Sequence, residues 1–593
     1  MDPQAPALPP RIAVSVVLIL ALLQGGALYG LQHVLVAHEW PATQPPWLLA
    51  LYSAVVFIPT TLQLLAEQLR KRSLWVLLAG LAAVFFYFGW HHGDAVAGSD
   101  PQRFASSETF LPFTFVLLVW WLHALPFLQG RVSEGKWTAD YRLLFRYSWR
   151  NVLLLGEAAL FTGLFWLILV LWEGLFRMLG INFFSDLFAQ PAFIYPVTAL
   201  VFGGALHLIG SIDALVTVAL EQVLNVLKWL AVVAVALLTL FTVALLIKLP
   251  ELLFTGERAI GAAWLLWLVA VVVLLLNAAY RDGTVQRPYP LWIAQGLRFC
   301  SPLAMVVAFT ALYALIIRAH SYGLTVGRVW ALLVAGAAVM YSVGYSVAAL
   351  RKGPWLAGIA QVNVVVALVL IATLAAGLTP LLSPYRLAAS SQFRTVLAGQ
   401  YPPTQRDDPR AASLQYLRFD CGAYGLRSLQ RLASLRDHPD AERIRQLASK
   451  ALAQSSRYQN PQAADAKRLV SDLTLYPQGR KLDPQLAQKL VADWATPAMQ
   501  GILYSEEKVV GVFVDLDGDG VEEFVLLGHS GGPVYQSRSG QWEYIGRVNP
   551  RGVPAASEDA MRADLSSGHI SAAVPQWRDL AIGAQRFRID ETP

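Results

Sequence analysis

Charged side chains are scarce in this sequence. Asp, Glu, Lys and Arg make up only 15% of its 593 residues, whereas hydrophobic residues make up 56%. Soluble domains usually carry about 25% charged residues. The deficit excludes an ordinary soluble protein and predicts a membrane protein. The 19 Trp residues suit a chain with two lipid–water interfaces to anchor.

Cysteine is almost absent as well. The two cysteines, Cys300 and Cys421, have neither a CxxC spacing nor a neighbouring histidine pattern. The sequence therefore excludes a disulfide framework. We interpret each cysteine as a small hydrophobic side chain that is buried in the fold.

Long apolar segments fill the chain from residue 12 to residue 382. A hydrocarbon core about 30 Å thick requires roughly 20 apolar residues per helix, at a rise of about 1.5 Å per residue. A more polar segment, 211–228, is predicted to be an interfacial helix rather than a span. We predict about eleven transmembrane helices, at 12–31, 47–66, 74–90, 110–129, 151–172, 193–212, 229–249, 260–280, 301–317, 330–350 and 355–378.

Lysine and arginine are divided unevenly between the loops. If the N-terminus is cytoplasmic, the loops on that side carry about 15 of these residues and the opposite loops carry about 6. Positive charge favours the cytoplasmic side during insertion, so we predict this orientation. With an odd number of spans, the chain after residue 382 then lies in the periplasm of a cell with two membranes.

The composition changes sharply after residue 382, which bounds the predicted transmembrane domain at 1–382. Charged stretches with helical spacing predict a helical neck over 383–500, with helices at 414–435, 441–455, 465–475 and 484–494. Strand-forming runs between Gly/Asp/Ser turns predict a small β-rich module over 501–593, with strands at 509–514, 523–527, 533–536 and 542–548. The expected fold is a membrane all-α helical bundle with a C-terminal soluble α+β domain.

Five stretches of the chain resemble segments of a known protein family. They are YRLLFRYSWRNVLLLGEAALFTGLFWLILVLWEGLF at 141–176, LNAAYRDG at 276–283, YGLTVGRVW at 322–330, PYRLAASSQFR at 384–394 and LQYLRFDCGAYG at 414–425. In their residue pattern and their order along the chain, these segments resemble a bacterial multi-pass membrane family, domain-of-unknown-function family 4153. The resemblance implies a bacterial inner-membrane protein. The resemblance implies no particular activity and assigns no functional residue.

The sequence DLDGDGVEE, residues 515–523, is the sharpest local signal. Asp515, Asp517 and Asp519 alternate along it, Gly520 permits a sharp turn, and Glu523 follows at the ninth position. Carboxylates spaced in this way converge on one point, and Ca²⁺ binds about 6–8 such oxygens. The loop is similar to the calcium loops of integrin-type propeller repeats, in a single copy. The sequence predicts a structural Ca²⁺ site; the alternative is an Asp/Gly turn that binds no ion.

Polar residues interrupt the apolar segments at a few positions. They are His123, Glu157, His207, Asn277, Gln361 and Asn363. Under the predicted topology all of them lie in the cytoplasmic halves of their helices, where they could line one inward-facing polar pocket. Glu157 and His207 would be its proton- or cation-handling pair. The alternative is a set of separate interhelical hydrogen bonds, or side chains that reach the headgroups.

The sequence supports two classes of function almost equally. The first is a sensor or scaffold of the bacterial envelope, whose periplasmic tail binds a partner protein; the second is a secondary transporter that uses the polar pocket. A membrane-embedded enzyme ranks last, because we find no convincing catalytic or metal-ligating set at a membrane face. Membrane lipids are expected partners. The formal charge of +6 does not indicate nucleic acid, because most basic residues outside the tail lie in short loops beside apolar helices.

Overall fold

The computed structural model divides the chain into two compact units, residues 1–454 and 455–593. The described residues are 10–97, 107–135, 137, 140–255, 261–284, 288–351, 355–399, 410–454, 470, 473–493, 499, 509–528, 531–538, 540–548, 565, 567, 570, 572, 580–582 and 585–587.

In the part of the chain that is described, all regular secondary structure of the first unit is helical. Eleven of its helical stretches are long and apolar enough to cross a membrane, and they match the predicted spans one for one. The predicted fold class is confirmed: the chain is a multi-pass membrane protein. Its helices are α1 (Pro10–Ala37), α2 (Pro45–Leu64), α3 (Arg72–Val96), α4 (Ser107–Glu134), α5 (Tyr141–Met178), α6 (Phe183–Phe188), α7 (Pro191–Gly210), α8 (Asp213–Thr255), α9 (Ala262–Tyr280), α10 (Leu291–Cys300), α11 (Leu303–Tyr322), α12 (Val326–Leu350), α13 (Ile359–Gly377), α14 (Pro384–Ala398), α15 (Arg410–Phe419), α16 (Gly422–Ala433) and α17 (Ala441–Ala453).

Two large clusters of buried side chains form the core among the membrane helices. One joins α2, α3 and α4 and includes the fully buried Phe85 and Trp121. The other joins α8, α9, α11 and α12. Helix α13 belongs to both, because Ile359 at its start packs in the second cluster and Ile371 packs against the first. Helix α13 therefore connects the two clusters.

Helices α2 and α3 approach each other closely at two glycines. A Cβ atom on Gly89 would lie 2.3 Å from the carbonyl oxygen of Leu49, and one on Gly93 would lie 2.5 Å from that of Pro45. Residues four apart share one face of a helix, and a Gly-x-x-x-Gly spacing lets two membrane helices meet backbone to backbone. These glycines therefore set the distance between α2 and α3.

Two helices exceed the length of a membrane crossing by the most among the described helices. α5 has 38 residues and α8 has 43, and at about 1.5 Å per residue each exceeds a core about 30 Å thick. The prediction of a separate interfacial helix at 211–228 is wrong, because no Gly or Pro ends the helix before Trp229 and most of this segment is the first part of α8. Its polar residues contact the basic loops: Arg281 donates a hydrogen bond to Asn225, and Tyr289 donates one to the carbonyl oxygen of Lys228.

Four short helices, α14–α17, follow the last membrane crossing and share a core of their own. Leu417, Cys421, Leu429 and Ile444 are all fully buried in it. These helices contact α3 and α12, so they belong to the first unit. The predicted neck over 383–500 is thus divided between the two units. Both cysteines are free thiols; Cys421 is buried and Cys300 is half-buried.

The second unit is built on a five-stranded sheet with the strand order β1-β2-β3-β4-β5. β1 is parallel to β2 and the other neighbours are antiparallel. Strands β2 to β5 match the four predicted strands. The prediction that a helix extends to residue 475 is wrong, because residues 474–476 form β1. Pairing with a strand that is distant in sequence outweighs the local helical spacing there. The elements are β1 (Thr474–Tyr476), α18 (Pro484–Asp493), β2 (Val510–Val514), β3 (Glu523–Leu527), β4 (Gly532–Arg538), β5 (Gln541–Val548) and a separate hairpin of β6 (Leu580–Ile582) and β7 (Gln585–Phe587).

Candidate functional site

A cavity of about 540 Å³ lies within the membrane-spanning helices of the first unit. Helices α4, α5, α9, α12 and α13 enclose it, so it separates parts of the two core clusters. Most of its lining is apolar, and the described residues that line it include no Asp, Glu, Lys or Arg. Its polar lining side chains are His123, Tyr141, Ser148, Trp149, Asn277, Tyr341 and Asn363.

A chain of hydrogen bonds joins three helices at one end of this cavity. The Tyr345 hydroxyl of α12 donates to Asn363 Oδ1 of α13 at 2.7 Å, and Asn363 Nδ2 donates to the Tyr141 hydroxyl of α5 at 3.1 Å. Tyr141 in turn donates to the carbonyl oxygen of Arg281 at 2.9 Å. Interhelical hydrogen bonds in membranes contribute about 0.6–2 kcal/mol each. This network therefore fixes α5, α12 and α13 together beside the loop that begins at Arg281.

Two more of the polar residues predicted from sequence line the cavity. His123 Nδ1 lies 2.7 Å from the carbonyl oxygen of Val119, one turn earlier in α4. A carbonyl can only accept, so Nδ1 carries the proton and the neutral ring leaves Nε2 as an acceptor. On α9, Asn277 Oδ1 accepts a hydrogen bond from Trp149 Nε1 at 3.4 Å. The structure thus brings His123, Asn277 and Asn363 to one cavity.

The other three predicted residues do not line it. Glu157 on α5 and His207 on α7 are half-buried, and Gln361 on α13 is exposed. Among the described contacts, no hydrogen bond or ion pair joins Glu157 to His207. Depth in the membrane follows from position in the sequence, whereas the direction in which a side chain points depends on how a helix is rotated. Rotation has little signature in helices that are apolar on every side.

Sequence reasoning missed the tyrosines and a buried amide pair. Tyr345 is almost fully buried in an apolar helix, where a hydroxyl needs a partner, and that requirement was the available signal. Gln129 on α4 and Asn151 on α5 donate to each other's side-chain oxygens, at 3.0 and 2.8 Å. Both residues are buried. Because each amide satisfies the other, this pair joins α4 to α5 without leaving a polar group unbonded.

A second polar region joins α16 to the ends of α3 and α13. His91 Nδ1 lies 2.9 Å from the carbonyl oxygen of Leu378, and its Nε2 lies 3.3 Å from the Tyr424 hydroxyl. The histidine therefore donates to the end of α13 and accepts from α16. Gly422 packs closely against the end of α3, since a Cβ atom there would lie 2.0 Å from the carbonyl oxygen of Ala95. We name this region, together with the contacts of α14 and α15 at residues 322–326, the junction.

The rest of the junction is at the turn between α11 and α12. Gln392 Nε2 of α14 donates to the carbonyl oxygen of Leu324 at 3.0 Å, and the backbone N–H of Val326 donates to the Tyr416 hydroxyl at 2.8 Å. Burial raises the pKa of Tyr416 to about 12, so its hydroxyl keeps its proton at physiological pH. The ends of α3, α11 and α13 and the start of α12 thus lie together. Alternating crossings place these ends on the same side of a membrane.

The Asp-rich loop brings three of its four predicted ligands together. Oxygens of Asp515, Asp517 and Glu523 lie within 4.8 Å of one another. Glu523 is 1% exposed and accepts hydrogen bonds from the N–H of Leu516 and from Gln536. The remaining ligand, Asp519, lies outside this cluster, and its Oδ1 accepts from the N–H of Val521 at 2.7 Å. The loop presents a small acidic cluster between β2 and β3.

No family model, curated protein or solved structure matches this chain. The resemblance to family 4153 therefore stays a prediction.

Proposed function

We propose that this chain is an inner-membrane protein of the bacterial envelope that acts as a sensor or scaffold, with its C-terminal part in the periplasm. The junction is the observation that supports this most. A soluble part that only needs an anchor requires one crossing and a flexible link. Here α14–α16 are held by hydrogen bonds to the ends of three membrane helices, α3, α11 and α12. Binding of a partner protein to the soluble part would therefore bear directly on the arrangement of those helices.

A secondary transporter is the second candidate, and the cavity is the observation that favours it. A transporter driven by ions needs ionisable side chains along its path. His123 is the only His, Asp, Glu, Lys or Arg among the described lining residues, and Glu157 and His207 lie elsewhere. The residues that line the cavity thus support a transporter less than the junction supports a sensor or scaffold.

The two candidates differ in the residues that they require. We expect Glu157→Gln and His207→Gln to restore the fitness of a deletion strain under envelope stress as fully as the wild-type chain, at equal membrane abundance. A chain that ends after Gln454 keeps the membrane unit and is expected to fail. The measurement is growth relative to wild type, with abundance checked by immunoblot. Failure of Glu157→Gln together with success of the shortened chain would favour the transporter instead.

We further propose that Asp515, Asp517 and Glu523 bind one structural Ca²⁺. A buried carboxylate is costly unless it is paired with a cation or fully hydrogen-bonded. Among the described residues, no Lys or Arg forms an ion pair with Glu523, whereas the neighbouring Glu522 pairs with Arg480. Oxygen donors this close together suit a hard divalent ion. Such an ion would fasten the turn between β2 and β3.

Calorimetric titration of the purified full-length chain with Ca²⁺ tests this site. We expect one ion to bind with a Kd of about 10⁻⁴–10⁻³ M, the range of extracellular modules. At about 10 mM Ca²⁺ this stabilises the bound form by about 1.4–2.7 kcal/mol. Asp515→Asn should abolish the binding heat, and Glu522→Gln, a change of the adjacent carboxylate outside the cluster, should leave it intact. Equal heat from both variants, or none from the wild-type chain, would identify a plain turn.

A further inference from the structure

The cavity among α4, α5, α9, α12 and α13 faces the lipid rather than water. Three lining side chains from three helices, Val152, Leu274 and Val334, are 50–53% exposed. All three lie within membrane-spanning segments, so the surface that they leave open adjoins the hydrocarbon layer. A molecule that enters along this surface would come from the bilayer, and its body would be apolar.

Three polar atoms at this cavity, one of them the Ser148 hydroxyl oxygen, lack a partner within the described structure. The Tyr341 hydroxyl makes no hydrogen bond, and His123 Nε2 is an acceptor without a donor because Nδ1 holds the ring proton. An amide or hydroxyl that loses water without a new partner costs about 1–3 kcal/mol by protein measurements. An unbonded donor and an unbonded acceptor at one apolar cavity therefore indicate a ligand with one hydrogen-bond acceptor and one hydrogen-bond donor.

The lining also restricts the charge of that ligand. The described lining residues include no Asp, Glu, Lys or Arg to neutralise a phosphate, carboxylate or ammonium group. An unpaired charge in such surroundings is far more costly than a neutral polar group. A volume of about 540 Å³ falls within the usual range for small-molecule sites.

We propose that this cavity binds a membrane amphiphile with an uncharged, hydroxyl-bearing head and an apolar chain. A hydroxyl of the head donates to His123 Nε2, and an oxygen of the head accepts from the Tyr341 hydroxyl. The chain lies along Val152, Leu274 and Val334 toward the lipid. This inference does not depend on the proposed role in the envelope, because it rests only on the membrane helices.

Photolabelling of the full-length chain tests the proposal. The chain is reconstituted in vesicles of phosphatidylethanolamine and phosphatidylglycerol with a monoacylglycerol that carries a diazirine and an alkyne in its acyl chain. We expect labelled peptides from α5, α9 and α12 around Val152, Leu274 and Val334, with labelling that unlabelled monoacylglycerol suppresses. The corresponding fatty acid probe, with the same chain and a carboxylate head, should label these peptides at least about fivefold less.

Two matched pairs of variants separate this site from general contact with lipid. Ala270 and Ala263 are both exposed on α9, but only Ala270 lines the cavity. We expect Ala270→Trp to lower labelling of the cavity peptides about tenfold or more, by exclusion of the acyl chain, and Ala263→Trp to leave it unchanged. Tyr341→Phe removes only the hydroxyl and should lower labelling about fivefold, whereas Tyr313→Phe, on the exposed face of α11, should have no effect.

Two results would overturn the proposal. The first is equal labelling by the fatty acid probe, which would show that the head is not selected. The second is unchanged labelling in Tyr341→Phe, alone or together with Ala270→Trp, which would show that the probe reports only surrounding lipid. Tyr341→Phe is a small change, so the test remains decisive if Ala270→Trp does not fold.

Discussion

Alanine in place of Gly89 or Gly93 is expected to destabilise the membrane unit by about 3 kcal/mol or more. The new Cβ atoms would meet the backbone of α2, at 2.3 Å from the carbonyl oxygen of Leu49 and 2.5 Å from that of Pro45. Backbone atoms in a packed helix cannot move aside as a flexible side chain can. The helices must therefore separate along their length, and the shared core around Phe85 loses contacts.

Gly80 provides the matched control on the same helix. A Cβ atom there meets nothing within 4 Å, so Gly80→Ala should leave stability unchanged or raise it, by up to about 1 kcal/mol through helix propensity. The measurement is reversible unfolding in mixed micelles, supported by the amount of chain in the membrane. Equal stability of Gly89→Ala and Gly80→Ala would contradict the close approach of α2 and α3.

Alanine in place of Gly422 is expected to open the junction. Its backbone has φ of +52°, which costs a residue with a Cβ atom about 1–2 kcal/mol. In addition, the Cβ atom would lie 2.0 Å from the carbonyl oxygen of Ala95. The added methyl group must therefore push α16 away from α3, and the bond between His91 and Tyr424 breaks with it.

The neighbouring Cys421 reports whether the junction opens. Burial raises the pKa of its thiol, and the reactive thiolate is therefore scarce at neutral pH. In a Cys300→Ala background, we expect maleimide to modify Cys421 slowly in the otherwise unchanged chain and at least about tenfold faster in Gly422→Ala. Gly180→Ala is the control, because Gly180 has φ of +78° but no atom near its Cβ position. Slow modification in Gly422→Ala would show that α16 does not depend on this contact.

The crossings could be predicted because the bilayer imposes a length. Every backbone polar group in hydrocarbon must be bonded within its own segment, so roughly 20 apolar residues give one helix whatever its neighbours are. The same rule gives no upper limit to a helix. Helix α8 therefore continues through Lys228 and Trp229, where no Gly or Pro ends it. Asn225 in its first part accepts a hydrogen bond from Arg281, a contact that hydropathy does not report.

The candidate site could be predicted only where its geometry is local. Asp515 and Asp517 are two residues apart, and the pairing of Val514 with Glu523 brings the glutamate beside them, so a short hairpin suffices. The cavity needs five helices in a particular rotation. Glu157 and His207 have the depth that the predicted topology requires but do not line the cavity. Tyr341 and Tyr345 belong to a helix whose apolar sequence does not reveal which face is buried.

The location of the C-terminus tests the proposed arrangement most directly. We would fuse alkaline phosphatase and, separately, green fluorescent protein after Pro593, with a second pair of fusions to a chain that ends after Arg351. The proposal predicts active phosphatase and no fluorescence after Pro593, and the reverse after Arg351, because one crossing separates them. Fluorescence after both residues would contradict it, since the junction and the Asp-rich loop would then lie in the cytoplasm with the basic loops.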